Sequence, residues 1–118
     1  MRTRVLIVDD DARFRALARA LLEARGYAVA GEAADGEQAL EAAGRLRPDA
    51  ALVDVQLPDT DGFALARRLA EADPALRILV TSTDPTLGAR AARSDGGAVA
   101  FVAKDELAAT DLGPWLGG

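Results

Sequence analysis

The sequence predicts an α/β domain built on a doubly wound, five-stranded parallel sheet with helices on both faces. Two observations lead to this prediction. Short apolar segments alternate with amphipathic ones along the 118 residues, which is the pattern of successive strand–helix units. The apolar runs, such as Ala50–Val53, are continuous rather than alternating, as in strands that are buried on both faces.

The first unit begins with the strand Val5–Val8, which runs directly into Asp9, Asp10 and Asp11. One aspartate can cap the helix that follows, and Gly26 ends that helix. Its buried face is predicted from apolar residues at helical spacing, namely Phe14, Leu17, Ala18, Leu21 and Leu22. Because one cap accounts for one acid, we interpret the other two as candidate cation ligands.

The second unit has a strand over Tyr27–Gly31 and a helix that begins at Asp35-Gly36. Asp35 and Gln38 have the spacing of a reciprocal cap, and the helix stops before Pro48.

The third unit contains Asp54, a carboxylate at the end of an otherwise apolar strand. An acid is costly to bury there unless it is paired, metal-bound or placed at the exposed tip of the strand. Pro58 stops the strand, the next residues form a turn, and a helix follows Gly62 and ends near Asp73-Pro74.

The last two units are less regular. The fourth strand, Leu76–Val80, leads into three hydroxyl residues, and a weak helix runs from Asp84-Pro85 to about Ser94. After a glycine turn at 95–97, the fifth strand covers Ala98–Ala103 and ends at Lys104. The last helix covers roughly Leu107–Leu116 and is interrupted by Gly113-Pro114.

Composition excludes several classes of function. The chain has no cysteine and no histidine, so it cannot form disulfides, thiolate metal sites or histidine-based nucleophile pairs. Its net charge of −5 argues against direct nucleic-acid binding. No apolar run is long enough to cross a membrane and no signal peptide begins the chain, so we expect a cytoplasmic protein.

Chemically useful residues follow four of the strands. A common strand order for such a sheet is 2-1-3-4-5, taken here from general precedent, and ligands bind at the carboxyl edge of the strands. The residues expected at that edge are Asp9, Asp10, Asp54, Thr81 and Lys104, the last being the single lysine among 14 basic residues. Clustered aspartates without histidine or cysteine favour Mg²⁺. An aspartate can also accept a phosphoryl group, whose charge a cation, an ammonium and a hydroxyl would stabilise.

These residues and their neighbours resemble the response-regulator receiver domain of two-component signalling, over nearly the whole chain and with a flavodoxin-like fold. The matching segments are Val8-Asp9-Asp10, Leu52-Val53-Asp54, Pro58 with Gly62, Val80-Thr81 and Phe101–Lys104. The resemblance implies a single receiver domain over 1–118 with no effector domain. It also implies a sensor histidine kinase or phosphotransfer protein as the partner, an unknown downstream effector and a possible dimer through the output face.

The resemblance also implies a role for each site residue. Asp54 would be the phosphoacceptor, and it would hold Mg²⁺ together with Asp9, Asp10 and the backbone carbonyl of Gln56. Lys104 would pair with Asp54 and then with the phosphoryl group, which Thr81 would contact through its hydroxyl. The remaining implied roles are an aromatic switch at Phe101 and tuning of phosphoryl hydrolysis by Gln56 and Thr83.

Three features depart from the common receiver pattern. Asp105 follows Lys104 where many receivers have proline, which resembles the LuxR-type branch and leaves a cis peptide there in doubt. Phe101 has no phenolic hydroxyl, so a switch there must act by packing. The short last helix puts in doubt the output face formed by the fourth and fifth helices.

Two other functions stay open. A pseudo-receiver would bind a partner without being phosphorylated. A haloacid-dehalogenase-like phosphatase would use Asp9 and Asp11 as its first motif, but Arg13 replaces the usual threonine or valine and 118 residues leave little room for that fold. As a receiver, the chain would turn over no separate substrate and would be no enzyme beyond its own phosphorylation and dephosphorylation.

Overall fold

The computed structural model describes residues 2–87 and 100–117, which form one five-stranded parallel sheet. The strands are β1 (Arg4–Val8), β2 (Ala28–Ala33), β3 (Ala50–Asp54), β4 (Arg77–Ser82) and β5 (Ala100–Ala103). Their order is β2-β1-β3-β4-β5, and every neighbouring pair is parallel. The predicted fold class and strand order are confirmed.

Three α-helices connect the first four strands: α1 (Ala12–Ala24), α2 (Gly36–Leu46) and α3 (Gly62–Ala72). Each begins at an aspartate whose carboxylate accepts a hydrogen bond from a backbone N–H of the first turn. In α2 half of the predicted reciprocal cap is present: Asp35 accepts from Gln38 N at 2.8 Å, but the Gln38 amide oxygen accepts at 3.0 Å from the N–H of Ala34, the residue before the cap. Caps of this kind fix where each helix starts relative to the strand before it.

The helices bury both faces of the sheet. One face packs against α2 and α3 through residues such as Leu6, Val53, Leu65 and Leu69. The other face packs against α1 and the C-terminal segment through residues such as Ile7, Leu22, Leu52 and Leu116. β3 has no exposed residue, as expected for a central strand covered on both sides.

Several strand boundaries differ from the prediction by one or two residues, and two of these differences have a visible cause. β2 begins one residue after Tyr27, because the Tyr27 N–H still bonds to Leu22 O at the end of α1. β4 continues through Thr81 and Ser82, which we expected to follow it, because Thr81 and Ser82 pair with Val102 and Ala103 of β5.

The prediction for the C-terminal region was wrong. A single helix was expected over Leu107–Leu116, but the chain forms a 3₁₀ helix at Lys104–Ala109 and a separate helix at Gly113–Leu116. Thr110 is extended between them, and Pro114 lies in the first turn of the second helix, where a missing N–H costs nothing. The proline therefore starts a helix rather than interrupting one.

The region after β4 is only partly described. A 3₁₀ turn covers Pro85–Leu87, where the weak fourth helix was expected to begin. The remainder of that predicted helix, the glycine turn at 95–97 and residues 98–99 of the predicted fifth strand lie outside the described residues. Within the described residues no peptide bond is cis, and no helix has the length and apolar character needed to cross a bilayer.

Candidate functional site

The sheet brings the predicted site residues to its carboxyl edge. Asp9 directly follows β1, Asp54 is the last residue of β3, and Lys104 directly follows β5. Asp54 is in register with Thr81 on β4, and Thr81 is in register with Val102 on β5. The strand order places β1 and β3 side by side, so the two acidic strand ends are neighbours.

The three consecutive aspartates divide as the sequence predicted. Asp11 caps α1 by accepting from Arg13 N at 2.9 Å, whereas Asp9 is fully buried and Asp10 is exposed. The use of Asp11 as a cap also weakens the phosphatase alternative, which needs Asp11 as part of its catalytic motif. Asp9 and Asp10 remain as the site acids.

Asp9 is held by its backbone and by one of its carboxylate oxygens. Its N–H donates to Ala33 O at 3.0 Å, and its carbonyl accepts from Arg15 Nη1 at 2.6 Å. Oδ1 accepts from Asp11 N at 2.8 Å. Oδ2 forms an ion pair with the Lys104 ammonium.

Asp9, Asp10 and Asp54 form a cluster of hard oxygen donors. Each offers a carboxylate oxygen, and these oxygens lie within 4.8 Å of one another. Burial and, after it, the negative charge of Asp9 raise the pKa of Asp54 from 3.8 to about 6, although the positive charge of Lys104 opposes the shift. A divalent cation would remove this repulsion, so the set of three carboxylates fits Mg²⁺.

Lys104 supplies positive charge to the cluster. Its Nζ lies 2.6 Å from Asp9 Oδ2 and 3.6 Å from Asp54 Oδ1, so it contacts both acids but lies closer to Asp9. The same ammonium lies 4.2 Å from the centroid of the Phe14 ring, within the range of a cation–π interaction. The sequence predicted Phe14 only as an apolar residue on the buried face of α1, and no motif indicated this second role.

Thr81 places a buried hydroxyl beside Asp54. The residue is fully buried, and its Oγ1 has no hydrogen-bond partner among the residues that the structure describes. The neighbouring Ser82 is also buried, but its Oγ accepts from Asp84 N at 3.1 Å. The Thr81 hydroxyl is therefore available to donate to a group that binds at this edge of the sheet.

Comparison with protein-family profiles matches residues 5–112 to the response regulator receiver domain. The chain belongs to the response-regulator receiver family. It is 38% identical over 82 residues to the chemotaxis protein CheY of Thermotoga maritima, covering 70% of this chain and 68% of that protein. It is 40% identical over 101 residues to the response regulator MprA of Mycobacterium leprae, covering 86% of this chain but 44% of that protein. The chain thus spans less than half of MprA.

Solved receiver structures have the same fold. A LuxR-family two-component response regulator from Aurantimonas sp. SI85-9A1 superposes with a TM-score of 0.78 at 33% identity, covering 88% of this chain and 75% of that one. The signal receiver domain of the putative response regulator NarL from Mycobacterium tuberculosis gives 0.76 at 33% identity, covering 88% and 85%. The resemblance to the LuxR-type branch is confirmed.

Other residues implicated by the resemblance lie around the edges of this receiver site. Gln56 is exposed in the loop after β3, where it forms an isolated bridge with Asp61. Phe101 is half-buried on β5, beside Val80, and packs against the α2–α3 side of the core. Thr83 is exposed after β4. Their roles as metal ligand, switch and hydrolysis-tuning residues stay predictions.

A groove of about 780 Å³ borders the receiver site on the α1 side of the sheet. It lies between α1 and the 3₁₀ helix Lys104–Ala109, and Thr83 and Lys104 line it together with apolar residues such as Leu107. Leu17, which was predicted to lie on the buried face of α1, borders this groove and is 69% exposed. Among residues 2–87 and 100–117, this part of α1 is therefore not covered by the C-terminal helices.

Proposed function

We propose that this chain is the phosphoacceptor of a two-component or phosphorelay system and receives a phosphoryl group on Asp54. The convergence of Asp9, Asp54 and Lys104 beside the unpartnered hydroxyl of Thr81 carries the proposal. Receiver domains interact with histidine kinases or phosphotransfer proteins. Since this chain has no histidine, the phosphohistidine donor must belong to such a partner in the cytoplasm.

Asp54 would act as the nucleophile in this transfer. One of its carboxylate oxygens forms a bond to phosphorus while the phosphorus–nitrogen bond of the donor breaks, and the imidazole leaves. The pKa of about 6 keeps Asp54 largely ionised at neutral pH, although burial and Asp9 raise that pKa. Burial also removes water from the carboxylate, so less solvent must be displaced when the donor approaches.

The remaining residues would bind the transferred group and report its presence. Asp9, Asp10, Asp54 and the carbonyl of Gln56 would hold Mg²⁺, which supplies positive charge to the phosphoryl oxygens when bound. Lys104 gains a new anionic partner on Asp54, and Thr81 donates its free hydroxyl to a phosphoryl oxygen. Movement of Thr81 would change the packing of Phe101 and thereby shift the output face between two states.

The test is incubation with acetyl phosphate and Mg²⁺ followed by intact-mass measurement. We expect one phosphoryl group on the wild-type chain, none on Asp54→Asn, and none after chelation of Mg²⁺. Glu71→Gln, which removes an exposed carboxylate on α3, is the control and should be phosphorylated like the wild type. A phospho-adduct that persists in Asp54→Asn would show that another residue is the acceptor. No adduct on the wild type would favour the pseudo-receiver alternative.

A further inference from the structure

The loop between β3 and α3 carries Gln56 and is attached to the molecule at two places. At its base, Gly62 N donates to Val55 O at 2.7 Å, and the backbone of Gln56 bridges to Asp61. A Cβ on Gly62 would lie 2.3 Å from the carbonyl oxygen of Asp54, so only glycine allows the loop to close so tightly on the acceptor residue. The base of the loop is therefore fixed by β3 itself.

The tip of the loop is attached elsewhere, through Asp59. One carboxylate oxygen of Asp59 accepts from Gly36 N at 2.8 Å, and the other accepts from Glu37 N at 3.0 Å. These N–H groups belong to the first turn of α2, where no partner within the helix exists for them. Asp35 satisfies only the next one, that of Gln38. Asp59 therefore completes the cap of a helix that is distant from it in the sequence.

Two further observations support this attachment. Bonds from Gly36 and Glu37 lower the pKa of Asp59, as expected for a carboxylate that accepts backbone N–H groups as an anion. A Cβ on Gly36 would lie 2.6 Å from Thr60 Cγ2 and 3.3 Å from Asp59 Oδ1. The loop tip thus packs so closely on α2 that a Cβ at position 36 would force the Thr60 side chain to shift.

The position of α2 makes this contact relevant to the metal site. α2 packs against β1, β2 and α3, and β1 ends at Asp9 and Asp10. The expected Mg²⁺ ligands come from two separate parts of the chain: the end of β1, and the end of β3 with its loop. Asp59 joins the loop to the helix that packs beside β1, so it fixes one group of ligands relative to the other.

We propose that Asp59 is a positioning residue for the Mg²⁺ site, acting through the loop to hold the Gln56 carbonyl at its place. This inference rests on the proposed function, because it assumes that the acidic cluster binds Mg²⁺. Residues that orient metal ligands without touching the metal commonly change affinity by about ten- to a hundredfold when removed. For Asp59→Ala we expect Mg²⁺ affinity to fall by about tenfold, the lower end of that range, because the contacts that position Asp9 and Asp54 are unchanged.

The experiment compares two aspartates that cap the same helix. Asp59→Ala removes the cap that comes from the loop, and Asp35→Ala removes the cap that comes from the chain just before α2. Both should lower the free energy of unfolding to a similar degree, since each leaves N–H groups of the first turn without partners. Only Asp59→Ala should weaken Mg²⁺ binding, measured by calorimetric titration with MgCl₂ alone.

Two more variants separate positioning from general destabilisation. Asp59→Asn keeps one carbonyl oxygen as an acceptor, so its Kd for Mg²⁺ should fall between those of the wild type and Asp59→Ala. Gly36→Ala keeps the carboxylate but pushes the loop tip away, and should weaken Mg²⁺ binding even though alanine favours the helix.

The possible failures are distinguishable. Wild-type affinity in Asp59→Ala, or equal weakening in Asp35→Ala, would overturn the role of Asp59 and leave the proposed function intact. A wild-type chain that binds no Mg²⁺ at millimolar concentration would overturn the proposed function itself, and the inference with it.

Discussion

The two sides of the receiver site are incomplete in opposite ways. The acidic side, formed by β1 and β3, brings Asp9, Asp10 and Asp54 together and has more negative charge than nearby groups neutralise. The other side, formed by β4 and β5, offers the ammonium of Lys104 and the buried hydroxyl of Thr81, which has no partner among the described residues. One side thus lacks a cation and the other lacks an acceptor.

This difference is what we expect of a free protein whose ligand has two parts, a divalent cation and a phosphoryl group. Under the proposed function, a divalent cation would neutralise the acidic side, and a phosphoryl oxygen would accept a hydrogen bond from the hydroxyl of Thr81. Until both are present, the folded state retains an electrostatic cost at Asp54 and a desolvation cost at Thr81. Substitutions that remove either cost should stabilise the free protein while they impair its function.

Asp54→Asn should have the largest effect on stability. The pKa of Asp54 is about 6 in the folded protein against 3.8 for the ordinary group, because burial and Asp9 disfavour its charge. The folded state therefore binds a proton more tightly than the unfolded state, and the carboxylate becomes destabilising as pH rises from about 4 through 6. Two pKa units correspond to about 3 kcal/mol, which is an upper limit for the gain on removing the charge.

The measurement is urea unfolding of the wild type and Asp54→Asn from pH 4 to pH 8. The difference in the free energy of unfolding should be small near pH 4, grow to between about 1 and 3 kcal/mol by pH 7, and then stay constant. Adding Mg²⁺ should reduce the difference at pH 7 by stabilising the wild type. A difference that does not depend on pH would mean that the charge of Asp54 is not the source.

Lys104→Met should have the next largest effect, with the opposite sign. Methionine can keep the contact with the Phe14 ring, but it leaves the fully buried Asp9 without the ammonium 2.6 Å away. Loss of one partner from a buried pair is strongly destabilising, and we expect about 2 kcal/mol without metal because Lys104 is partly exposed. Saturating Mg²⁺ should recover part of this loss.

The control for Lys104→Met is Arg45→Met. Arg45 forms an exposed ion pair with Glu41 on α2, which should contribute little. Chemical unfolding with and without MgCl₂ measures both variants. Equal losses in the two, or no recovery of Lys104→Met with Mg²⁺, would contradict the assignment of Lys104 as the internal cation of the acidic side.

The acidic side was more predictable from the sequence than the other side. Carboxylates directly after buried strands are visible as breaks in apolar runs, and a parallel sheet brings strand ends to one edge whatever the side-chain packing. That argument placed Asp9, Asp10 and Asp54 at the edge and predicted that one of the three consecutive aspartates caps α1, but it did not show which one. It could not show that Lys104 lies closer to Asp9 than to Asp54, because that distance depends on how the side chain packs over Phe14.

The C-terminal segment shows a second limit. The sequence predicted one helix over roughly Leu107–Leu116, and Leu107, Leu112 and Leu116 are all buried. The extended Thr110 nevertheless divides the segment, and the Arg25 guanidinium donates to the carbonyls of Ala108 and Thr110 from the end of α1. Such long-range hydrogen bonds outweigh a weak local preference for helix, and they are invisible in sequence spacing.

Thr81→Val should have the smallest effect on the free energy of unfolding, and it tests the difference between the two sides of the site most directly. Valine keeps the approximate shape of threonine and removes a buried hydroxyl that has no described partner, so the free protein should gain about 1 kcal/mol. Ser82→Ala is the matched control, because the neighbouring hydroxyl accepts a hydrogen bond from Asp84 N and its loss should give no gain. Thr81→Val should also accept a phosphoryl group from acetyl phosphate more slowly than Ser82→Ala, as followed by intact mass. If Thr81→Val instead lowers stability, the Thr81 hydroxyl already has a hydrogen-bond partner in the free protein. The β4–β5 side of the site would then not be waiting for a phosphoryl oxygen, and the contrast with the acidic side would fail.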